Sequence, residues 1–151
     1  MDDTAWMDRV FGGSEDVRLI RMDAAAGTAV LRLQVGEHHI AEGGVLDEGL
    51  VATVADNWTS YVLLAQAAAA ATKPTLPPLA ASPFSVSTSI SVRTLQRTRP
   101  GTAIDIECSV PTPAPIKPFA TAVFRDAHSL ALVYSVAAHT KEPKAFAAAN
   151  L

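Results

Sequence analysis

The sequence predicts an α+β domain, with one long central helix wrapped by a curved antiparallel β-sheet of five to six strands. Three observations lead there. Residues 49–71 run without a Gly or Pro after the first position and are rich in Ala and Leu. Segments of alternating apolar and polar residues lie on both sides of that run, two before it and four after. The run is also apolar nearly all round, so protein must cover it on more than one side. A curved sheet, with a second copy completing the enclosure, does this.

In chain order, residues 4–11 suit a short helix with Trp6 and Val10 on one face, ended by Gly12-Gly13. Residues 17–22 place Val17, Leu19 and Met22 among arginines, and 29–35 alternate again. With the turn Ala26-Gly27-Thr28 between them, they form a hairpin. Residues 36–49 read as a loop containing Gly43-Gly44. The helix begins at Gly49 beside Asp47 and Glu48, whose charges suit its positive end. Residues 72–83 carry four prolines and form a loop. Strands follow over 84–95, 103–110, 119–125 and 131–139. They are joined by the turn Arg99-Pro100-Gly101, the proline-rich PTPAPIKP loop and residues 126–129. The tail after Pro143 is loose. With no internal repeat, residues 1–151 are one domain.

Bulk properties exclude several classes. Hydrophobic residues make up 49% and charged residues 18%, so surface is left over for self-association as a dimer or tetramer. A net charge of -3 without a concentrated basic patch argues against nucleic acid. A lone Cys108 excludes an intramolecular disulfide framework and fits a reducing, cytoplasmic setting. The first residues, opening on two aspartates, do not read as a signal peptide. The 50–71 stretch contains Thr53, Asp56, Asn57 and Ser60 and reads as a buried helix, not a membrane span.

Asp56-Asn57 is the sharpest anomaly. Helical spacing puts Gly49, Thr53, Asp56 and Ser60 on one polar stripe. A buried carboxylate without a partner is costly, so Asp56 either has a structural partner, such as an arginine across an interface, or serves a substrate as base or nucleophile. The loop from Gly43 to Gly49 feeds the helix start, where free N–H groups can hold a carbonyl oxygen as charge develops on it; an ordinary glycine-containing helix start has the same look. His139-Thr140-Lys141 ends the last strand and could hold phosphates, or be plain surface. Arg93, Arg97 and Arg99 make a modest basic cluster. His38-His39, if extended, face opposite ways and lack a third ligand, so no metal is expected.

Over residues 7–141 the chain resembles the small hotdog-fold acyl-CoA thioesterases, of the bacterial phenylacetate-pathway and mammalian mitochondrial types. The resemblance runs through MDRVFGGSEDVRLIRMDAAAGTAVLRLQV, GVLDEGLVATVADNWTSYVLL and VYSVAAHTK. It implies the hotdog fold, a site shared between two subunits, and Asp56 as the carboxylate that activates water or attacks the thioester. It implies that the Glu48 or Gly49 N–H polarises the carbonyl, with Ser85 orienting the water. Asp47, Asn57 and Ser60 would lie near the substrate, while His139, Lys141 and Arg93 would hold the nucleotide end. Coenzyme A enters only as part of the substrate, and no other cofactor is implied. The chain departs from the family at two points. Asp47-Glu48-Gly49 stands where the family has His-Gly-Gly, and Ala41 stands where an Asn is frequent. Beside hydrolysis, these departures leave open a hydratase, dehydratase or cyclase on the same scaffold, and a non-catalytic acyl-binding protein.

Overall fold

The structure is a computed structural model that describes residues 16–71, 85–111, 119–129 and 131–143. The expected helix at 4–11, the 72–83 loop, most of the proline-rich loop and the tail lie outside the described residues. Strands β1 (Val17–Asp23) and β2 (Thr28–Gln34) form the expected hairpin. The 36–49 segment contains a 3-10 turn (Glu37–His39) and a two-residue ladder, β3 (Ile40–Ala41) with β4 (Val45–Leu46). Helix α1 (Glu48–Ala71) follows, then β5 (Ser85–Thr94), β6 (Ala103–Ser109), β7 (Phe119–Asp126) and β8 (Val133–Pro143).

Six strands form one antiparallel sheet in the order β1-β2-β6-β7-β8-β5, with α1 on one face. The expected hotdog arrangement, a long helix against a six-stranded sheet, is present. The core lies between them. Rows of facing residues cross the sheet: Leu33 opposite Ile104, Leu31 opposite Ile106, Ala29 opposite Cys108, then Ile106 opposite Phe124 and Cys108 opposite Ala122. Leu31, Leu33, Ile104, Ile106 and Phe124 are fully buried with Val51 and Val62 of α1. Each such side chain contributes about 1.5–3 kcal/mol through removal from water. Burial pushes the Cys108 thiol up to about 12, so this cysteine is a small core residue, not a nucleophile. Among the described residues no helix is long and apolar enough to cross a membrane.

Two β-bulges explain where side chains point. In β1 the pairing steps from Leu19 to Arg21, leaving Ile20 extra. This is why Val17, Leu19 and Met22, spaced two and then three apart, share the inner face, and why Ile20 is exposed. In β5 the pairing steps from Ser87 to Ser89, leaving Thr88 extra; its hydroxyl donates to the Thr140 carbonyl. Beyond the bulge Ile90 faces His139, and before it Ser87 faces Lys141. Strict alternation would set Ile90 and Ser87 on opposite faces; the bulge puts both on the helix side.

Helix α1 starts one residue earlier than expected. Asp47 is its N-cap: its Oδ1 accepts from the Leu50 N–H at 2.8 Å and its carbonyl from the Val51 N–H. A Cβ on Gly49 would come within 3.0 Å of that Oδ1, so glycine leaves room for the capping carboxylate. The turn into β4 uses Gly43 and Gly44, both with positive φ, which L side chains avoid. Strand β8 runs on to Pro143 instead of ending at His139, so Lys141 is part of the sheet.

Candidate active site around Asp56

Asp56 sits in the third turn of α1, with its side chain 44% exposed. Three groups converge on its Oδ1. Ser87 of β5 donates from Oγ at 2.8 Å, and Lys141 of β8 donates from Nζ at 3.3 Å. His139 Nε2 stands 3.3 Å away, within ion-pair reach but off the line of a hydrogen bond. Among the described residues nothing contacts Oδ2. Behind this cluster, His139 Nδ1 lies 3.1 Å from the Thr59 hydroxyl, one turn along α1 from Asp56.

The electrostatics follow burial. Desolvation pushes the Asp56 carboxyl up, but the Ser87 hydroxyl, the Lys141 ammonium and His139 outweigh it and hold the group below the usual carboxylate range. For Lys141 the balance is reversed. Its side chain is 3% exposed, and burial lowers its pKa although Asp56 favours the cation. His139 is lowered by burial first and by Lys141 second, with Asp56 opposing. The result is an ionised carboxylate with one oxygen engaged and one open, a suitable arrangement for a base.

The expected substrate-binding residues separate into groups. His139 and Lys141 are turned inward against Asp56, not outward toward a phosphate; the longer β8 buries both. Asp47 caps α1. Asn57 is exposed on the outer stripe of α1 with Gly49 and Thr53, while the Ser60 hydroxyl donates back to the Asp56 carbonyl. Arg93 pairs with Val136 on the other face of the sheet, away from Asp56. Ser85 opens β5 opposite Pro143, and the serine whose hydroxyl reaches Asp56 is Ser87, two residues on. Sequence reasoning missed Ser87 and Thr59. Thr59 stands at i+3 from Asp56, a spacing that places it on the same side of a helix. The bulge that turns Ser87 inward leaves no mark on the alternation.

The start of α1 holds the second half of the candidate site. The N–H groups of Glu48 and Gly49 have no acceptor among the described residues, as first-turn amides do not unless capped. Glu48, with Asp47, lines a cleft of about 490 Å³ at this end of the helix. Ala41, Val45, Leu46 and Leu95 form its apolar part, and Glu42, Glu48, Gln96 and Arg97 its polar rim.

His38 and His39, expected to face opposite ways, lie on the 3-10 turn, where both reach Asp16 Oδ2 at 3.0 and 3.3 Å. The trio has the residue types of a metal site. The Gly36 N–H, however, donates to His39 Nδ1 at 2.9 Å, which leaves the ring proton of the neutral imidazole on Nε2, facing Asp16. A metal-bound histidine instead donates from its second nitrogen. The donor set therefore fits a carboxylate clasped by two imidazoles better than a cation.

The sequence matches no protein-family model and no curated protein. Solved structures are similar in fold. Thioesterase superfamily member 2 from Mus musculus is 20% identical, with a TM-score of 0.71 and 93% of each chain covered. A hypothetical thioesterase from Streptococcus pneumoniae TIGR4, solved with coenzyme A, is 12% identical, with a TM-score of 0.66 over 91% of this chain and 93% of that one. The E. coli PaaI protein from the phenylacetic acid degradation operon is 13% identical, with a TM-score of 0.63 over 92% of this chain and 84% of that one. The shared architecture is the hotdog fold of these thioesterases.

Proposed function

We propose that the protein hydrolyses an acyl thioester, with Asp56 as the base that activates water. The observation that carries this reading is a single carboxylate on the central helix. Three groups hold its Oδ1 in the ionised state, and its Oδ2 has no partner among the described residues. Water would attack the thioester carbonyl carbon as its proton passes to Asp56 Oδ2. The Glu48 or Gly49 N–H, helped by the positive end of α1, would hold the tetrahedral oxyanion. Collapse would break the C–S bond and return the proton to the departing sulfur, leaving a free acid and a thiol. The coenzyme A bound by a structural neighbour supports an acyl-CoA as the thioester.

Geometry adds a condition. Glu48 and Asp56 are eight residues apart on one helix, a rise of about 12 Å. One thioester carbonyl cannot touch both in a single chain. The reading therefore takes the helix start from one subunit and Asp56 from another, which makes self-association part of the function. The expected result is that Asp56→Asn, folded as the wild type, loses about a hundredfold or more in acyl-CoA turnover measured by free-thiol release. Wild-type rates in that variant would overturn the reading.

A second reading draws on Glu48, whose carboxylate stands beside the amides that would hold an oxyanion and opposes negative charge there. It makes the protein a hydratase, dehydratase or cyclase on the same scaffold, with Asp56 as acid or base at carbon. No thiol release across a broad acyl-CoA panel, together with a copurifying ligand that is not a thioester, would favour it.

A further inference from the structure

Thr59 is completely buried and lies between two near acceptors, 2.8 Å from the Ala55 carbonyl and 3.1 Å from His139 Nδ1, with the Asp56 carbonyl farther off at 3.5 Å. Its hydroxyl has one proton to give, and the choice decides how His139 meets Asp56. If the proton goes to Ala55, Nδ1 must carry the ring hydrogen. The lone pair of the buried Nε2 then lies 3.3 Å from the Asp56 Oδ1, off its line but close enough to be repulsive. A second ring proton would remove the repulsion, but burial and Lys141 both oppose the cation. If the proton goes to Nδ1, the hydrogen sits on Nε2 and faces the carboxylate. The Ala55 carbonyl gives up nothing essential, because in a helix it already accepts the backbone N–H four residues on.

We infer that Thr59 is a positioning residue whose hydroxyl donates to His139 Nδ1 and holds that imidazole as the tautomer with Nε2–H toward Asp56. The inference rests on the reading of Asp56 as the base. The groups facing the Asp56 carboxylate are then all donors: Ser87 from β5, with His139 and Lys141 from β8. All lie against Oδ1, so Oδ2 is the oxygen that takes the proton. Thr59 touches neither carboxylate oxygen; it acts through the ring.

The test is nitrogen-15 NMR of histidine-labelled protein, with the His139 signals assigned by their loss in His139→Asn. In the wild type and in Thr59→Ser at pH 7.5, Nε2 carries the proton and Nδ1 shows the resonance of a hydrogen-bonded acceptor. In Thr59→Val, which keeps the shape and removes the hydroxyl, the Nδ1 resonance moves downfield toward that of an acceptor with no donor. Turnover by Thr59→Val falls about tenfold or more with KM unchanged, and Thr59→Ser restores it. A proton on Nδ1 in the wild type overturns the inference, as does an unmoved Nδ1 resonance in Thr59→Val. Should Thr59→Val not fold, the wild-type spectrum alone decides. The spectra need no turnover, so the tautomer is judged separately from thioester hydrolysis.

Discussion

Two buried imidazoles work against the folded chain as the solution becomes acidic. His39 and His139 both titrate below the ordinary histidine value, chiefly because burial disfavours their cations. Below about pH 6.5 the unfolded chain binds these protons more readily than the folded one, so stability is highest above that value and declines as the pH falls through it. Asp56, whose folded carboxyl is also lowered, adds a later loss as the pH falls through the carboxylate range. The urea midpoint is therefore expected to drop between pH 7.5 and 5.5, and His139→Asn is expected to flatten that drop. An equally steep decline in the variant would locate the protonation elsewhere. At this scale, Asp56 was legible because it is the one charged residue of the helix after Glu48. Its partners were only partly so. His139 and Lys141 stood out as residue types, but their inward direction depends on how far β8 continues. The pairing of His38 with His39 around Asp16 depends on a 3-10 turn, where period-two reasoning does not apply.

Among the elements, α1 shows what its first residues are for. Asp47 satisfies the Leu50 N–H and leaves the Glu48 and Gly49 N–H groups open, so it decides which amides are engaged. Asp47→Ala is expected to cost about 1 kcal/mol of stability, read as a shift in the urea midpoint at constant slope. If stability were unchanged, the Asp47 carboxylate would not be holding the helix start. The helix and five of the six strands of the main sheet were readable from periodicity to within a residue at either end, because these segments are long, whereas β8 ends four residues later than expected. Both bulges escaped that reading, because one extra residue in a strand leaves the composition unchanged.

For the whole molecule, under the proposed function, the distance along α1 between the Glu48 and Gly49 amides and Asp56 calls for a second chain. Strand β5 lies at an edge of the sheet with Ile90 exposed, and an unprotected edge favours further pairing. A mixing experiment tests the shared site directly. Glu48→Pro removes one amide at a position where proline suits a helix, and Asp56→Asn removes the base. Each alone is expected to be nearly inactive, with Glu48→Gln as the control that keeps the amide. Unfolding and reassembling the two inactive variants together is expected to restore turnover, because half-mutant assemblies regain one intact site. No recovery from verified mixed assemblies would place the amide and the carboxylate in the same chain. The fold class could be read from the sequence because it depends on the order of long periodic segments. The second chain is an expectation in outline, drawn from a helix too apolar for one sheet to cover.

The extra residue at Thr88 gives β5 a change of parity. Downstream of it the even-numbered positions look toward the helix, and just upstream the odd-numbered Ser87 does. The group presented to Asp56 is thus decided by the count of residues in the strand as much as by their identity. Shorten β5 by Ser89, keeping the bulge in its place and the pairing from Ile90 onward, and Val86 takes the place of Ser87 opposite Lys141. The carboxylate would then meet an isopropyl group instead of a hydroxyl, although no residue near it had been exchanged for another. For a site of this kind an insertion or deletion is a chemical change, and two chains with identical serines can differ in whether one of them reaches the base.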